Sequence, residues 1–531
     1  MDLPNDVDRS EARRQRLEAS ARQRRIIFND DTYELSREDA NTPEGVLRHR
    51  LAPLVGTGVD TISWSVLGGW ADAPVYDSKV QPIYGDAHGG PPGYWPLVTA
   101  NVKALMHAGT CPLKVVIDFA HANQMEAFAS IRMNDVHDSF VPGGRTTWKM
   151  NNPQWMVDPA GRLTNMELYV SSQDFDHAPV RQRKIEVIEE ICHRYDVDGF
   201  ELDFIRHPVF FSRTMRGEAA TADQIDIMTA LMRRIRDVTE AAAQQRGRPV
   251  LVAMRVPDRV ELCKRIGLDV ASWIAEDLLD LLIAGGGYAP FTLPVAELTE
   301  LAHRHEVRIY PCINTGPAEV VSQGAFAEGV RALASNWAKA SADGLYFWNL
   351  GSPIEYKHGQ ELIETRRKFY GPLKELGDPS VLPATTKLFC VDGKVDTNYI
   401  HMTSLTPLPV VTKPTYGGLF MRIRLEVGDD VAAAATNGTL AESTLRLTLR
   451  GPDHHQTLIV RFNGHVLEGA QRTVTNAEAN EYDLTYPIGV PPLKQGANYI
   501  EASMEGGRSV SRKPPLEVYG ARLRVRYGTP A

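Results

Sequence analysis

Between residues 24 and 375, short apolar runs that end in polar residues alternate with longer stretches of helical periodicity. Eight runs read as strands, at 25–30, 59–66, 125–135, 197–207, 250–256, 279–284, 307–314 and 344–349. Amphipathic segments lie between them at 179–195, 224–245, 294–305 and 326–342, and Pro112 heads another at 113–122, a residue suited to a helix start. Strands that alternate with helices predict a parallel sheet, and eight such units predict a (β/α)8 TIM barrel.

The texture changes in residues 376–531. Gly377, Pro379 and Pro383 mark a linker, and apolar and polar residues then alternate at 419–427, 443–450, 457–462, 499–504 and 522–527. Asn463-Gly464 between two such runs signals a tight hairpin. This part is expected to form an all-β sandwich, accessory or carbohydrate-binding in character. Residues 1–23 read as a polar, helix-prone lead-in with little to turn toward a core.

Composition narrows the function classes. With 58 Lys+Arg against 66 Asp+Glu, the net charge of −8 gives no general field for a phosphate backbone, so nucleic acid is not an expected partner. No apolar run is long enough to cross a bilayer, so no membrane partner is expected. The first 25 residues lack the apolar stretch of a secretory signal. The sequence as written therefore reads as cytoplasmic, or as exported if a leader has been removed. Five widely spaced cysteines show no zinc spacing and read as small buried hydrophobes.

The segment 195–211, YDVDGFELDFIRHPVFF, carries the most chemistry. On a buried strand Phe200, Leu202 and Phe204 share one face, which leaves Glu201 and Asp203 together on the other, toward the barrel interior. Carboxylates there cost several kcal/mol each unless partners compensate, and the C-terminal strand ends are where this fold keeps its catalysts. Asp203, Arg206 and His207 fall at that end. A bland alternative pairs Glu201 with Arg206, Arg132 or Arg255 as a structural ion pair. The two acids lie close enough to titrate as a coupled pair with one proton held at raised pH.

This segment resembles the glycoside-hydrolase-like TIM barrels with a strand-four signature D-G-x-x-L-D-F-x-R-x-P, matched at Asp198, Gly199, Leu202, Asp203, Phe204, Arg206 and Pro208. The similarity extends more weakly through 128–138 and 174–181 and does not cover the C-terminal part. It implies carbohydrate hydrolysis with Asp203 at a strand-four acid position. The D-x-x-D-x-D-x-E run of chitinases is absent, since Glu201 and Ile205 stand where its second Asp and its Glu would fall.

Glycoside hydrolysis needs a proton donor and an ionised carboxylate. Asp203, Glu201 and Asp135 are the candidate catalytic groups. Asp203 is expected as nucleophile or base and Glu201 or Asp135 as acid, and no cofactor is expected. Arg132, Asn134, His137, Arg206, His207, Arg255, Asp258, Tyr288, Asn314 and Asn349 are candidate substrate contacts near strand ends, and the guanidinium groups suggest an anionic sugar. Trp64 and Trp348 are candidate stacking platforms, and Tyr76, Tyr84, Tyr94, Trp95, Trp148 and Trp155 stand in long loops expected to line a cleft. Two competing readings are a metal-dependent hydrolase or lyase using His137, Asp135 and Glu201, and a non-catalytic carbohydrate-binding protein.

Overall fold

The computed structural model describes residues 6–67, 72–88, 96–139, 144–158, 170–314, 324–352, 354–378, 380–393, 406–412, 421–451, 458–504 and 515–528. Eight parallel strands close into a barrel: β1 (Ile26–Asp30), β2 (Val59–Leu67), β3 (Glu126–Arg132), β4 (Gly199–Asp203), β5 (Leu251–Val256), β6 (Leu281–Ala284), β7 (Arg308–Asn314) and β8 (Leu345–Trp348), with β8 returning to β1. All eight fall within the runs expected from the sequence or one residue beyond. The expected runs at 125–135 and 197–207 overshoot, because β3 ends at Arg132 and β4 at Asp203. The polar residues beyond lie in loops instead.

Alternation sorts the side chains into two layers. Phe200, Leu202, Val252 and Met254 pack outward on the helices, whereas Phe128, Leu251, Ile283, Cys312 and Tyr346 form a separate inner cluster. Among the helices are Pro112–Ala122, Ala178–Arg194, Ala222–Arg246, Val295–His303 and Phe326–Lys339.

The charged lead-in is a correction to the sequence reading. Helix Asp6–Ser20 sends Arg16, 3% exposed, to Glu240, Asp277 and Asp280, with Nε 3.3 Å from Asp280 Oδ1. Arg24, also buried, donates to both Glu126 oxygens at 2.7 Å. These carboxylates stand at or before strand starts, so the lead-in covers the end of the barrel opposite the expected site. Hydrophobic periodicity cannot signal this, because the buried groups are charges that compensate one another.

Two antiparallel sheets follow. One carries β9 (Lys387–Cys390), β10 (Val410–Thr412), β12 (Leu440–Arg450), β15 (Gln471–Asn476), β16 (Glu481–Pro487) and β18 (Leu516–Tyr527). The other carries β11 (Met421–Val427), β13 (Leu458–Phe462), β14 (His465–Val466) and β17 (Gly496–Met504). Leu445, Leu447 and Leu523 of the first meet Ile423, Phe462 and Ile500 of the second in one core, which makes a β-sandwich. Asn463 and Gly464 have φ of 50° and 82°, as the β13–β14 turn demands. Strands β9, β10, β14, β15 and β16 were not among the expected runs, and β14 and β15 are exposed throughout, which removes the alternation that would mark them.

The sandwich seats firmly on the barrel. Gly428 lies so close to Phe326–Lys339 that a Cβ would stand 2.3 Å from the Ser335 carbonyl carbon. Beside it Asp429 accepts from Ser335 and Tyr527 and pairs with the buried Lys387 at 2.9 Å. The Thr292 amide, in the loop after β6, donates to Asp392 at 2.6 Å.

Replacing Arg16 with Met should cost about 1–3 kcal/mol, because Asp280 keeps Arg236 at 3.1 Å and the Val252 amide at 2.7 Å while Glu240, Asp277 and Asp280 lose a shared, buried charged donor. Urea denaturation measures this, and a loss under about 0.5 kcal/mol would show that the lead-in is dispensable.

Candidate active site

The first half of the strand-four signature builds the wall. Asp198 accepts from the Ala127 amide and the His121 ring at 2.9 Å and from Arg248 at 2.9 Å, fixing β4 against its neighbours. Gly199 makes room for Phe128, since a Cβ there would stand 2.9 Å from that ring and 2.7 Å from the Leu251 carbonyl oxygen. Only after this foothold does the strand present its acids.

Glu201 and Asp203 both point inward, at 0% and 1% exposure. Glu201 Oε1 accepts from Tyr346 OH at 2.9 Å and Ser130 Oγ at 3.2 Å, and Oε2 accepts from Ser63 Oγ and, at 3.5 Å, from Asn29 Nδ2. Burial and the charge of Asp203 push the Glu201 carboxyl up to about 7, against the pull of Ser63, Arg255 and Tyr346. It therefore holds a proton below about pH 7. Hydroxyl partners suit such a group, since each can turn from donor to acceptor.

Asp203 has a different set of partners. Its Oδ1 accepts from the amides of Ile205 and Arg206 at 2.9 and 3.0 Å, and Oδ2 accepts from Arg255 Nη1 at 3.0 Å. The guanidinium foreseen as a partner for Glu201 thus binds Asp203.

Beyond β3, Arg132 bridges Asp31 at 2.6 Å and Asp135 at 3.0 Å. Burial pushes Asp135 up, but His137 and Arg132 outweigh it and hold this carboxyl well below the usual range. His137 donates through Nδ1 to Asp135 at 2.9 Å, and its Nε2 accepts from Arg206 Nη2 at 3.2 Å. The His207 ring lies edge-on to His137 at 5.1 Å, with its own backbone at φ 58°. Burial, then the Arg206 charge, hold this second imidazole well below its usual range and so neutral. Asp135, His137 and His207 bring one ligating atom each to within 4.8 Å of one another, a spacing that could hold a cation. Two guanidinium groups border it, and they oppose a divalent ion.

Trp348, 7% exposed, sits beneath two cations, with Arg255 at 4.7 Å and Arg206 at 5.4 Å from its ring centre, and Tyr288 packs beside it at 6.3 Å. Asn349, at φ 50°, donates to Asp31 at 3.0 Å and accepts from Arg50 at 3.1 Å. Asn314 closes against Gly287, where a Cβ would come within 2.5 Å of its amide nitrogen.

Other candidates stand elsewhere. Trp64 is wholly buried among the outward-facing residues and donates to Glu34 at 3.0 Å, so it offers no face to a sugar. Asn134 is occupied by the Gln173 and Val209 carbonyls at 3.0 and 2.7 Å and by the Gln173 amide at 2.9 Å, a tie between loops. Asp258 is 1% exposed and lies against Gly285. Tyr76 is buried with its hydroxyl on Glu190 at 2.8 Å, Tyr84 is buried beside His88, and Trp148 and Trp155 pack on each other at 5.3 Å. Tyr94 and Trp95 fall outside the described residues.

The residues the sequence reading overlooked are Asn29, Asp31, Ser63, Ser130 and Tyr346. A signal was present for several of them. Asn29, Ser63 and Ser130 are polar residues at inward positions, next in sequence to the outward-facing Phe28, Trp64 and Ala129.

Asn134→Ala should lower stability by about 1–3 kcal/mol, the cost of stranding its buried partners, and leave KM unchanged. Thermal unfolding beside steady-state kinetics checks it, and a raised KM at unchanged stability would return Asn134 to the substrate.

No family model and no curated protein matches the sequence. Among solved structures the chain is similar to the glycoside hydrolase domain of PgaB (BpsB) from Bordetella bronchiseptica, at 11% identity over 68% of this chain and 99% of that one, with a TM-score of 0.41. It is similar also to an endo-β-1,4-mannanase double mutant of Cellulomonas fimi, 11% identical over 92% and 96%, TM-score 0.37. A third is a family GH18 chitinase of Chromobacterium violaceum, 11% identical over 91% and 88%, TM-score 0.35. These structures are glycoside hydrolases by name, and a likeness of this degree adds nothing to the argument from the site.

Proposed function

We propose that the protein is a glycoside hydrolase that cleaves an oligo- or polysaccharide with Asp203 and Glu201 as its working carboxylates. The observation that carries this reading is the pair of inward acids on β4, one held up to about 7 and the other gripped by three donors. Hydrolysis of an acetal needs that division of states, a proton for the leaving oxygen and a negative charge for the anomeric carbon or the attacking water. Asp203, at the strand's carboxyl end, takes the charged role as nucleophile or base. Glu201 takes the proton-donor role. Asp135, ionised and bound to Arg132 and His137, does not suit an acid and instead orders His137 and, through it, Arg206. Tyr288, half-buried, offers aromatic surface to a sugar ring, with Trp348 packed behind it under Arg255 and Arg206.

Asp203→Asn and Glu201→Gln should each cut turnover by about 10²-fold or more while the fold persists, as loss of a general acid or base does. Near-normal turnover in either variant would remove that residue from the mechanism. The rate should also fall as pH rises through about 7, where Glu201 loses its proton. A wild-type profile flat from pH 6 to 9 would contradict the donor role.

A second reading, a metal-dependent hydrolase or lyase, is favoured by the convergence of Asp135, His137 and His207. The flanking Arg132 and Arg206 weigh against it. On the glycosidase reading, chelation leaves the rate unchanged and elemental analysis of the active protein finds no stoichiometric metal; loss of activity with release of one equivalent of metal would reverse the choice.

A further inference from the structure

On the outward side of β1, the side that Phe28 shares, three ionisable groups are sealed from water. Asp30 ends the strand, Glu34 stands on the single helical turn Tyr33–Ser36 that follows, and Arg50 comes from the chain after helix Pro43–Arg48; each is 0% exposed. Asp30 Oδ1 lies 3.0 Å from Arg50 Nε and accepts from the Thr32 amide at 2.9 Å, and Glu34 Oε1 accepts from the Trp64 indole N–H at 3.0 Å. The other oxygen of each acid, Asp30 Oδ2 and Glu34 Oε2, has no hydrogen-bond partner among the described residues. If both acids ionise, one guanidinium leaves a buried excess of negative charge, which is costly.

The elements around Glu34 do little to relieve that excess. β1 supplies Asp30, β2 supplies the uncharged Trp64, and the chain after helix Pro43–Arg48 supplies Arg50. Helices Pro43–Arg48 and Pro96–His107 both pack on the turn, and the residues they bury are uncharged. Burial, then repulsion by Asp30, push the Glu34 carboxyl well above its usual range, against the pull of Arg50 and Trp64. Glu34 is therefore the group that keeps a proton.

Arg50 also reaches the barrel mouth. Its Nη2 donates to Asn349 Oδ1 at 3.1 Å and to the Leu350 carbonyl at 3.4 Å. Asn349 in turn donates to Asp31, which pairs with Arg132 at 2.6 Å. Thr32 and Asn349 both have left-handed backbones, at φ 65° and 50°, conformations that persist only where neighbouring contacts impose them. One guanidinium thus serves Asp30 on one side and Asn349 on the other.

We infer that Glu34 is a positioning residue for the barrel mouth, acting through Arg50. Protonated, it leaves that guanidinium to Asp30 and Asn349. Ionised, it competes for the same guanidinium, and the brace from Asn349 through Asp31 to Arg132 loosens. Alkaline pH therefore weakens the mouth from behind, by a route separate from Glu201. The effect on substrate rests on the glycosidase reading above, whereas the effect on stability does not.

Glu34→Gln copies the protonated acid at nearly constant shape, so the test compares this variant with wild type as full-length proteins, by thermal unfolding and by steady-state kinetics on one saccharide. Folding raises this carboxyl above its unfolded value, so wild type has its full stability from Glu34 below about pH 4.5 and loses it as pH rises toward the folded value. The two proteins should melt together near pH 5, and the variant should melt about 3 °C or more above wild type at pH 8. Between pH 6 and 8.5 the wild-type KM should rise about threefold or more and the variant's should stay within about twofold, while kcat falls alike in both as Glu201 loses its proton. Equal melting at pH 8, a variant less stable than wild type at pH 5, or a KM that rises alike in both would each overturn the inference. Failure of the glycosidase reading shows separately, as turnover that survives Asp203→Asn and Glu201→Gln.

Discussion

The site depends on the two-residue repeat of a β-strand inside a closed barrel. In β4 that repeat forces Glu201 and Asp203 onto one wall of an interior that excludes water. Two negative charges cannot both be held there cheaply, and the molecule answers with two different surroundings. Asp203 receives a guanidinium and two amides, while Glu201 receives hydroxyls and keeps a proton. The asymmetry is electrostatic in origin, and it sets on one strand the division of states that the proposed acetal hydrolysis would use.

Neighbouring strands serve that asymmetry in layers. Ser63, Ser130 and Tyr346 come from β2, β3 and β8 to hold the inner acid, and Arg255 comes from β5 to hold the outer one. Behind them runs a chain of charge, from Asn349 through Asp31, Arg132, Asp135 and His137 to Arg206. It places Arg206 over Trp348, and Arg255, held by Asp203, covers the same ring, so that cations cap this tryptophan at the mouth. Below, the paired charges of Arg16 and Arg24 close the other end, which leaves the strands' carboxyl ends as the face for chemistry.

Much of this was legible in the sequence, for reasons that differ by residue. The barrel strands are short, apolar and bounded by polar residues, so their number and order could be read directly. The inward direction of Glu201 and Asp203 followed from alternation alone. Which guanidinium met which acid did not, because Arg255 and Arg132 reach their partners across strands whose register only the closed barrel fixes. Trp64 misled because a tryptophan in a strand looks the same on either face, and its burial against Glu34 depends on a loop after β1. The lead-in helix was opaque for the opposite reason, since its charges resemble a solvated face until their buried partners are seen.

On this reading Glu201 keeps its proton up to about pH 7 beside Asp203, which Arg255 and two backbone amides hold. Infrared difference spectroscopy of the carboxyl carbonyl band across a pH titration, comparing wild type with Glu201→Gln, measures this directly. The account predicts a buried protonated carboxyl that titrates at about 7 in wild type and is missing in the variant. A band that disappears below about pH 5, where ordinary carboxyls titrate, would contradict it.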